Sequence, residues 1–553
     1  MNWQGGDERG THLVPTTHEA GATPTGAVVT VLSSRAVGWI GLAAVGAIAV
    51  LVFWAFEALP FQDLPAHAGL IALRHRFATS PFEQRFYVLA PHIGPYSLFR
   101  FLGEALVRIS SPLSAVRVLG TLPVIATPLA LLFCRGRLHR DVTPTFGFIG
   151  VALSFGIITL LGFASYLLGV AAMLVGVTLW LDLMVAADDA SETTAKSLRR
   201  RELAVFFFAP LVFVAHGHAF LLFLLCAAIG TVVAGDRRAR LLRWWTLAPA
   251  LVLAGWVAWV ERGQTMPPGS VQPAVHAMIP RFQGAADKLG LLLSGTLMTR
   301  SGIDFFVGFL ILAFTIASTV VTVRSLRRVA RGTVPAADIR HSRTLYVCAG
   351  AMMAAFLVLP HAVGWFGFVD GRLVPVATML ALLGVRREVL PPILARSLNY
   401  GAPIVAATIV VLAMVASYRF QAEARGYKEV LARIPAESRL LNLPLDPNSD
   451  VFTAHPFVHY DKLVLVERPL VVSDMWFHQG SALYPTAMNP ALRLPKSYSE
   501  SNLKLIDWPA YHLEDWDFVL IRTRPNAAQP FTPGALTLED HQGGWWLFRR
   551  GPT

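Results

Sequence analysis

A carboxylate, an imidazole and a guanidinium follow one another at regular spacing early in the chain. The string D-L-P-A-H begins at Asp63 and ends at His67, and Arg74 comes about two helical turns further on. We predict a helix over 64–77 with Asp63 at its N-cap, and at about 100° per residue all three side chains then share one helix face. Such a face offers a general base, an orienting imidazole and a cation for an anionic group. The alternative is that Asp63 only caps the helix.

Further polar residues are expected near the same membrane surface. His216 and His218 flank a glycine at a predicted turn, and Arg372 lies at the outer mouth of an apolar run, where the alternative is an interface anchor paired with Asp370. We expect these residues to contact substrate, together with Arg74: His92, His216, His218, Arg281, Lys288 and Arg372.

The composition places these residues in a membrane protein. The chain has 553 residues, of which 54% are hydrophobic and 15% charged, and its mean hydropathy is +0.52. A soluble protein carries about 25% charged residues, so soluble, disordered and disulfide-scaffold classes are excluded. The net charge of +12 is interpreted as loop charge on one membrane side, not as a nucleic-acid surface. The expected partners are therefore membrane lipids, and no nucleic acid.

Apolar runs divide the chain into eleven predicted membrane spans. They lie at 36–59, 117–134, 145–163, 166–186, 203–217, 218–234, 244–261, 302–323, 344–360, 372–385 and 399–417. The predicted fold class is mainly α: a polytopic α-helical membrane protein with a small extracytoplasmic α/β domain at the C-terminus.

Arginine clusters fix the predicted orientation. Every second loop is basic only if 203–234 crosses twice and turns at His216-Gly217-His218. The positive-inside rule then places the N-terminus in the cytoplasm and the C-terminal domain outside. We accordingly expect a multi-pass protein of a bacterial inner membrane.

The predicted domains follow from these spans. Residues 1–35 form a disordered cytoplasmic tail, 36–417 the transmembrane domain, and 418–553 the extracytoplasmic α/β domain. Within the transmembrane domain, 60–116 is a first outside loop with interface helices, the second of them amphipathic over 95–110. In the C-terminal domain a helical pattern covers 422–434, and strand-like runs occur at 463–466, 518–522 and 545–548.

This arrangement resembles the GT-C superfamily of integral-membrane glycosyltransferases. The resemblance lies in the many spans, in the acid Asp63 in a first outside loop soon after the first span, and in the outside C-terminal domain. It implies a lipid-linked sugar donor on polyprenyl phosphate, transfer on the outer membrane face, and Asp63 as catalytic base with His67 as its partner. The acceptor would be an envelope glycan, lipid or protein. Here Leu64 follows Asp63, where several members of the superfamily have a second acid.

The leading hypothesis is therefore a membrane glycosyltransferase, and two alternatives stay open. A transporter or lipid flippase would need charges deep in the spans, whereas an inactive GT-C-like scaffold would use the outside domain only to bind partners. No cofactor is predicted. A divalent metal is possible if His216 and His218 converge with acids or histidines of the first loop. We expect the C-terminal domain to bind acceptor or act as a lid, without supplying the catalytic base.

Overall fold

The computed structural model shows a helical bundle followed by a mixed β-sheet. It describes residues 25–89, 93–188, 195–233, 240–263, 267–271, 279–294, 298–328, 335–364, 366–476, 482–501, 503 and 506–551, with backbone only at 25–34 and 261–263. The predicted tail before residue 25 and the candidate His92 lie outside the described residues.

Ten helices lie among the described residues from 25 to 233. They are α1 Thr25–Leu51, α2 Leu64–Arg76, α3 Pro81–Phe86, α4 Ser97–Leu106, α5 Pro112–His139, α6 Pro144–Leu153, α7 Ile157–Leu160, α8 Ala164–Asp188, α9 Ala195–Ala215 and α10 Gly217–Val233. The break between α9 and α10 falls at His216, where the sequence predicts a turn.

Nine further α-helices follow between residues 248 and 467 of the described chain, and the last of them are short. They are α11 Ala248–Gly263, α12 Ala285–Ser294, α13 Gly302–Arg328, α14 Ala336–Val358, α15 Leu373–Gly384, α16 Pro392–Arg396, α17 Ala402–Ala424, α18 Tyr427–Ala432 and α19 Val464–Glu467. A π-helical turn over Ser397–Gly401 joins α16 to α17.

Four stretches of the described chain are long and apolar enough to cross a membrane: Pro112–His139, Ala164–Asp188, Gly302–Arg328 and Pro392–Ala424. Shorter apolar helices occur at Arg35–Leu51, Pro144–Leu153, Gly217–Val233 and Leu373–Gly384. The mainly helical membrane fold is therefore confirmed, while the number of eleven spans stays a prediction.

Three local predictions differ from the structure. Helix α1 begins at Thr25, so the last part of the predicted tail is helical. The run 145–163 is not one helix: its first part ends at Leu153, extended Gly156 precedes the second part, and Gly162 (φ +80°) follows it. Residues 464–467 form a helical turn, not a strand, because an apolar run this short has no clear period.

The arginine-rich loops meet at one end of the bundle, which we call the basic end. Ion pairs join side chains from four of the predicted inside segments: Arg137 and Arg201 with Asp182, Arg340 with Asp188, and Arg386 with Asp338, all at 2.6–2.8 Å. Arg35, near the start of α1, donates to the carbonyl of Val142 there at 3.4 Å. The alternating Arg clusters therefore share one end, and we call the opposite end, where α2 begins, the site end.

The C-terminal sheet lies beyond α18. Its order is β5-β4-β7-β9-β8, formed by β4 Ser438–Pro444, β5 Leu470–Val472, β7 Phe518–Arg522, β8 Leu536–Gln542 and β9 Trp545–Arg550. Strand β4 is parallel to β5 and β7, and β9 is antiparallel to β7 and β8. The strands predicted at 518–522 and 545–548 are thus present.

The C-terminal sheet region is joined to the first loop by backbone and side-chain contacts. Strand β1 (Tyr87–Leu89) pairs antiparallel with β6 (Leu483–Pro485), and a second short ladder joins β2 (Pro280–Arg281) to β3 (Ala362–Val363). The Tyr460 hydroxyl donates to the Leu59 carbonyl at 2.7 Å. A Cβ at Gly69 in α2 would lie 2.9 Å from the Lys462 carbonyl, so α2 and segment 456–463 are in close backbone contact.

Candidate active site

Asp63 precedes α2 without capping it. The residue occupies the N-cap position at φ −92° and ψ −11°, and its side chain makes no capping hydrogen bond. The loop between α7 and α8 fixes the backbone instead, since the Gln62 and Asp63 amides donate to the Leu160 and Leu161 carbonyls at 2.9 and 3.2 Å. Gly162 leaves room for this approach, because a Cβ there would lie 2.7 Å from the Asp63 nitrogen. The capping alternative is therefore not what the structure shows.

Arg372 lies near Asp63 in a ring of aromatic side chains. Its guanidinium carbon is 4.3 Å from the ring centroids of both Phe163 and Phe366 and 5.3 Å from that of Tyr166. One terminal nitrogen donates to the Gly367 carbonyl at 3.0 Å, while Nε is buried without a hydrogen-bond partner. Asp370 bonds instead to Lys288, His361 and the Gly371 amide, so the alternative of an anchor pair with Arg372 is wrong. A stacked guanidinium with unused donors suits a phosphate or carboxylate.

His216 and His218 border the same ring of aromatics. The His216 ring lies 4.6 Å from Tyr96 and 5.1 Å from Tyr166, and His218 is stacked 5.6 Å from Tyr166. The two histidines contact each other through a hydrogen bond from the His218 amide to His216 Nδ1 at 3.1 Å. Tyr96 has a positive φ of 72°, a strained conformation often found at functional sites. The turn predicted at these histidines therefore joins the surroundings of Arg372.

The C-terminal region contributes an imidazole to Asp63. His459 Nε2 lies 3.6 Å from Asp63 Oδ1, and the other ring nitrogen, Nδ1, lies 3.1 Å from Glu500 Oε2. Glu500 also accepts from the Lys462 ammonium at 2.5 Å. Sequence reasoning expected no catalytic base in this region, and it did not foresee that His459 would lie beside Asp63.

Burial and charge oppose each other at this acid. The Asp63 side chain is 15% exposed. Burial raises the pKa of Asp63 from 3.8 to about 6, although the positive charges of His459 and Arg372 lower it. Burial alone would lower the pKa of His459, but its hydrogen bond to Glu500 and the charges of Glu500 and Asp63 raise it above the ordinary value. Asp63 is thus a stronger base than an exposed aspartate and is still ionised at neutral pH.

His67 lies one turn after Asp63 but points its ring at aromatic neighbours. Its centroid is 4.7 Å from that of Phe99 and 4.8 Å from that of Trp476. Trp476 also contacts the His459 ring edge-on at 5.7 Å. Of the aromatic residues in the C-terminal region, Trp476 contacts both His67 and His459, whereas Trp516 and Tyr511 are buried in the C-terminal sheet core.

Three predicted substrate-binding residues contact other side chains or backbone in the structure, and their binding of substrate stays a prediction. Arg74 pairs with Glu104 at 2.6 Å, and Lys288 is buried against Asp370 at 2.6 Å. Arg281 is exposed in β2 and contacts only a carbonyl at 3.4 Å among the interactions the structure describes. Spacing alone could not separate these cations from Arg372, because the sequence does not show which of them pairs with an acid in the fold.

The sequence did hold a signal for the missed residues. Segment 459–462 reads His-Tyr-Asp-Lys between apolar neighbours on both sides, and all four residues are buried. Four polar residues buried in a row need internal partners, which points to a network. Within the described chain, no group of three or more His, Cys, Asp or Glu side chains is arranged to hold a metal ion.

Comparison with known proteins finds the fold but no sequence relative. No protein-family model matches the chain, and no curated protein matches it in sequence. The crystal structure of ArnT from Cupriavidus metallidurans bound to undecaprenyl phosphate matches with a TM-score of 0.50 at 10% identity, covering 96% of this chain and 100% of that one. The arabinofuranosyltransferase AftD from Mycobacteria matches with a TM-score of 0.40 at 15% identity, and the match covers 93% of this chain and 40% of that one.

The match to ArnT extends over the whole of that chain and nearly all of this one. It includes both the helical bundle and the C-terminal sheet region, and it agrees with the resemblance seen in the sequence. The chain therefore has the overall fold of the ArnT structure, which is the fold that the GT-C resemblance implies.

Proposed function

We propose that this protein is a membrane glycosyltransferase that moves a sugar from a polyprenyl-phosphate donor to a hydroxyl group of a cell-envelope acceptor. The proposal rests on two side chains at the site end. Asp63 is partly buried and makes no capping hydrogen bond, and Arg372, whose charge acts on Asp63, is stacked among aromatic rings. A buried base and a phosphate-binding cation are the two groups that this transfer needs.

The reaction uses the two groups at different atoms. The acceptor oxygen attacks the anomeric carbon of the sugar, the bond from that carbon to the phosphate oxygen breaks, and the polyprenyl phosphate leaves with the bonding electrons. Asp63 accepts the proton of the acceptor hydroxyl, and Arg372 donates to the phosphate as its charge grows. His216 and His218 contact the Tyr166 ring that also lies against Arg372, and Trp476 contacts His459 beside Asp63; these side chains suit contacts to the sugar.

The lipid-linked donor is also supported by one fold relative. The ArnT structure contains undecaprenyl phosphate, a polyprenyl phosphate of the class proposed here. We further propose that the site end faces the outside of a bacterial inner membrane, because the arginine-rich loops share the opposite end and such loops stay in the cytoplasm. Glu57 lies at the same end, exposed and paired with Lys428.

The test is release of polyprenyl phosphate by the purified protein in lipid nanodiscs. A panel of radiolabelled polyprenyl-phosphate sugars is offered with an envelope-lipid extract as acceptor. We expect turnover with at least one donor, loss of turnover in Asp63→Asn, and near-normal turnover in the control Glu57→Gln. Equal turnover in Asp63→Asn and wild type would contradict the assignment of the base. Lipid movement across the bilayer without sugar transfer would instead favour the flippase alternative.

A further inference from the structure

Segment 456–463 carries His459 to Asp63 from a distant part of the chain. The segment is a 3₁₀ helix whose regular conformation is interrupted at His459 (φ −115°, ψ 21°). Its neighbour Tyr460 is fully buried and bonded to the Leu59 carbonyl, and Lys462 lies against Gly69 of α2. These contacts on both sides fix the position of the imidazole relative to the start of α2.

Glu500 fixes the orientation of the imidazole. The Glu500 side chain is 1% exposed, and Oε2 lies 3.1 Å from His459 Nδ1. Its other oxygen, Oε1, accepts from Ser473 and from Tyr498, both at 3.3 Å. A carboxylate held by several donors binds one imidazole nitrogen and turns the other nitrogen toward Asp63, the arrangement by which a third group orients a catalytic pair.

A purely structural role leaves one feature unexplained. Lys462 and the Nδ1 side of His459 together compensate the buried carboxylates Glu500 and Asp461, at 2.5–3.1 Å, but this does not require the other ring nitrogen to face Asp63. That nitrogen, Nε2, lies too far from Asp63 for a direct hydrogen bond, at 3.6 Å. At that distance the interaction is electrostatic, and it is open to adjustment when a substrate hydroxyl reaches the carboxylate.

We propose that His459, held by Glu500, is a positioning residue that keeps a positive charge beside the Asp63 carboxylate and thereby maintains it as the ionised base. The inference deepens the proposed function and rests on it only where transfer is measured. The C-terminal region would then complete the catalytic base, in place of the acceptor-binding or lid role expected from the sequence.

The charges facing the two groups set the expected sign. The described titratable groups that act on Asp63 or His459 from the surrounding segments are Arg372, Asp474, Glu500, Lys462 and Asp461. Removal of the His459 charge leaves Arg372 as the nearest cation acting on Asp63, while burial still favours the neutral acid. The pKa of Asp63 should therefore rise in His459→Gln, by about one unit, since a nearby opposite charge lowers a carboxyl pKa by about 1–3 units.

Infrared titration of the Asp63 carboxyl tests this without any substrate. The signal is the carboxylic-acid band that is present in each variant but absent when the same variant also carries Asp63→Asn. We expect the midpoint to rise by about one pH unit in His459→Gln and by less in Glu500→Gln, where the imidazole remains but loses its proton more easily. The control is His455→Gln, an exposed histidine in the same region that bonds to Asn448, and it should not move the midpoint.

Transfer assays provide the second readout. The acid limb of kcat/KM should move to higher pH in His459→Gln and Glu500→Gln, whereas a merely structural role would lower kcat/KM equally at all pH values. An unchanged midpoint in both folded variants would overturn the inference even if wild-type protein transfers sugar. Conversely, wild-type protein without transfer but with a shifted midpoint would overturn only the proposed reaction. Should His459→Gln fail to fold, Glu500→Gln alone decides the outcome.

Discussion

Two aspartates at the site end have the same kinds of neighbours and different properties. Asp63 lies beside His459 and Arg372, and Asp370 lies beside His361 and Lys288. From residue types and predicted position alone, either acid could serve as a base. The comparison therefore depends on how completely each carboxylate is bonded.

Asp370 is fully bonded and Asp63 is not. The Asp370 side chain accepts from Lys288 at 2.6 Å, from His361 at 2.9 Å and from the Gly371 amide at 2.7 Å. Burial would raise its pKa, but these bonds lower it below the ordinary value. At Asp63 burial prevails, and its pKa is raised to about 6. Three direct bonds make Asp370 a structural link, whereas Asp63, held by Gln62 and by the charges of His459 and Arg372, keeps the raised pKa that suits a base.

The largest expected effect is the loss of transfer in Asp63→Asn. An amide cannot take the acceptor proton, and loss of a general base lowers turnover by about 10²- to 10⁴-fold. Because the side chain makes no capping bond, the fold should be retained. The measurement is turnover of labelled donor by monodisperse protein. Turnover within a factor of about three of wild type would mean that Asp63 is not the general base and does not differ from Asp370 in this respect.

Asp370→Asn should damage stability instead. The change leaves the buried Lys288 ammonium without its counter-ion, and breaking one side of a buried pair costs about 3–5 kcal/mol. The apparent melting temperature in detergent should fall, while turnover per folded molecule is kept. The double variant Asp370→Asn with Lys288→Met should recover part of the loss. A stable Asp370→Asn protein without activity would show that this cluster, too, belongs to the catalytic machinery.

Much of the first loop could be predicted from the sequence because its signals are local. Neighbouring residues predict the helix after Asp63, which has a proline in its first turn. Neighbouring residues likewise predict the helix break at His216. The split of 145–163 was missed because apolar composition does not show where Gly162 turns toward Asp63. The role of His459 was missed for a related reason, since a contact between loop and sheet region leaves no local pattern in a single sequence.

A smaller effect concerns the stability cost of keeping Asp63 ionised. The ordinary pKa of 3.8 applies to the unfolded chain, and the folded pKa is about 6. The folded state therefore binds the proton more tightly, and wild-type stability falls as pH rises from about 4 to about 6. Asp63→Asn has no such loss and should exceed wild type by up to about 3 kcal/mol above pH 6. Unfolding measured across this range checks the sign, and a variant less stable than wild type at pH 7 would contradict it.

The smallest expected effect concerns Arg372. This residue lies two positions after Asp370 in the sequence, but its charge acts on Asp63. Lysine keeps the charge but loses the planar fork and the stacking between Phe163 and Phe366. We expect Arg372→Lys to bind undecaprenyl phosphate about tenfold more weakly, or about 1.4 kcal/mol. Arg281→Lys, at an exposed arginine, is the matched control and should bind normally. Equal weakening in both variants would mean that general positive charge, and not a stacked guanidinium beside the base, attracts the lipid phosphate.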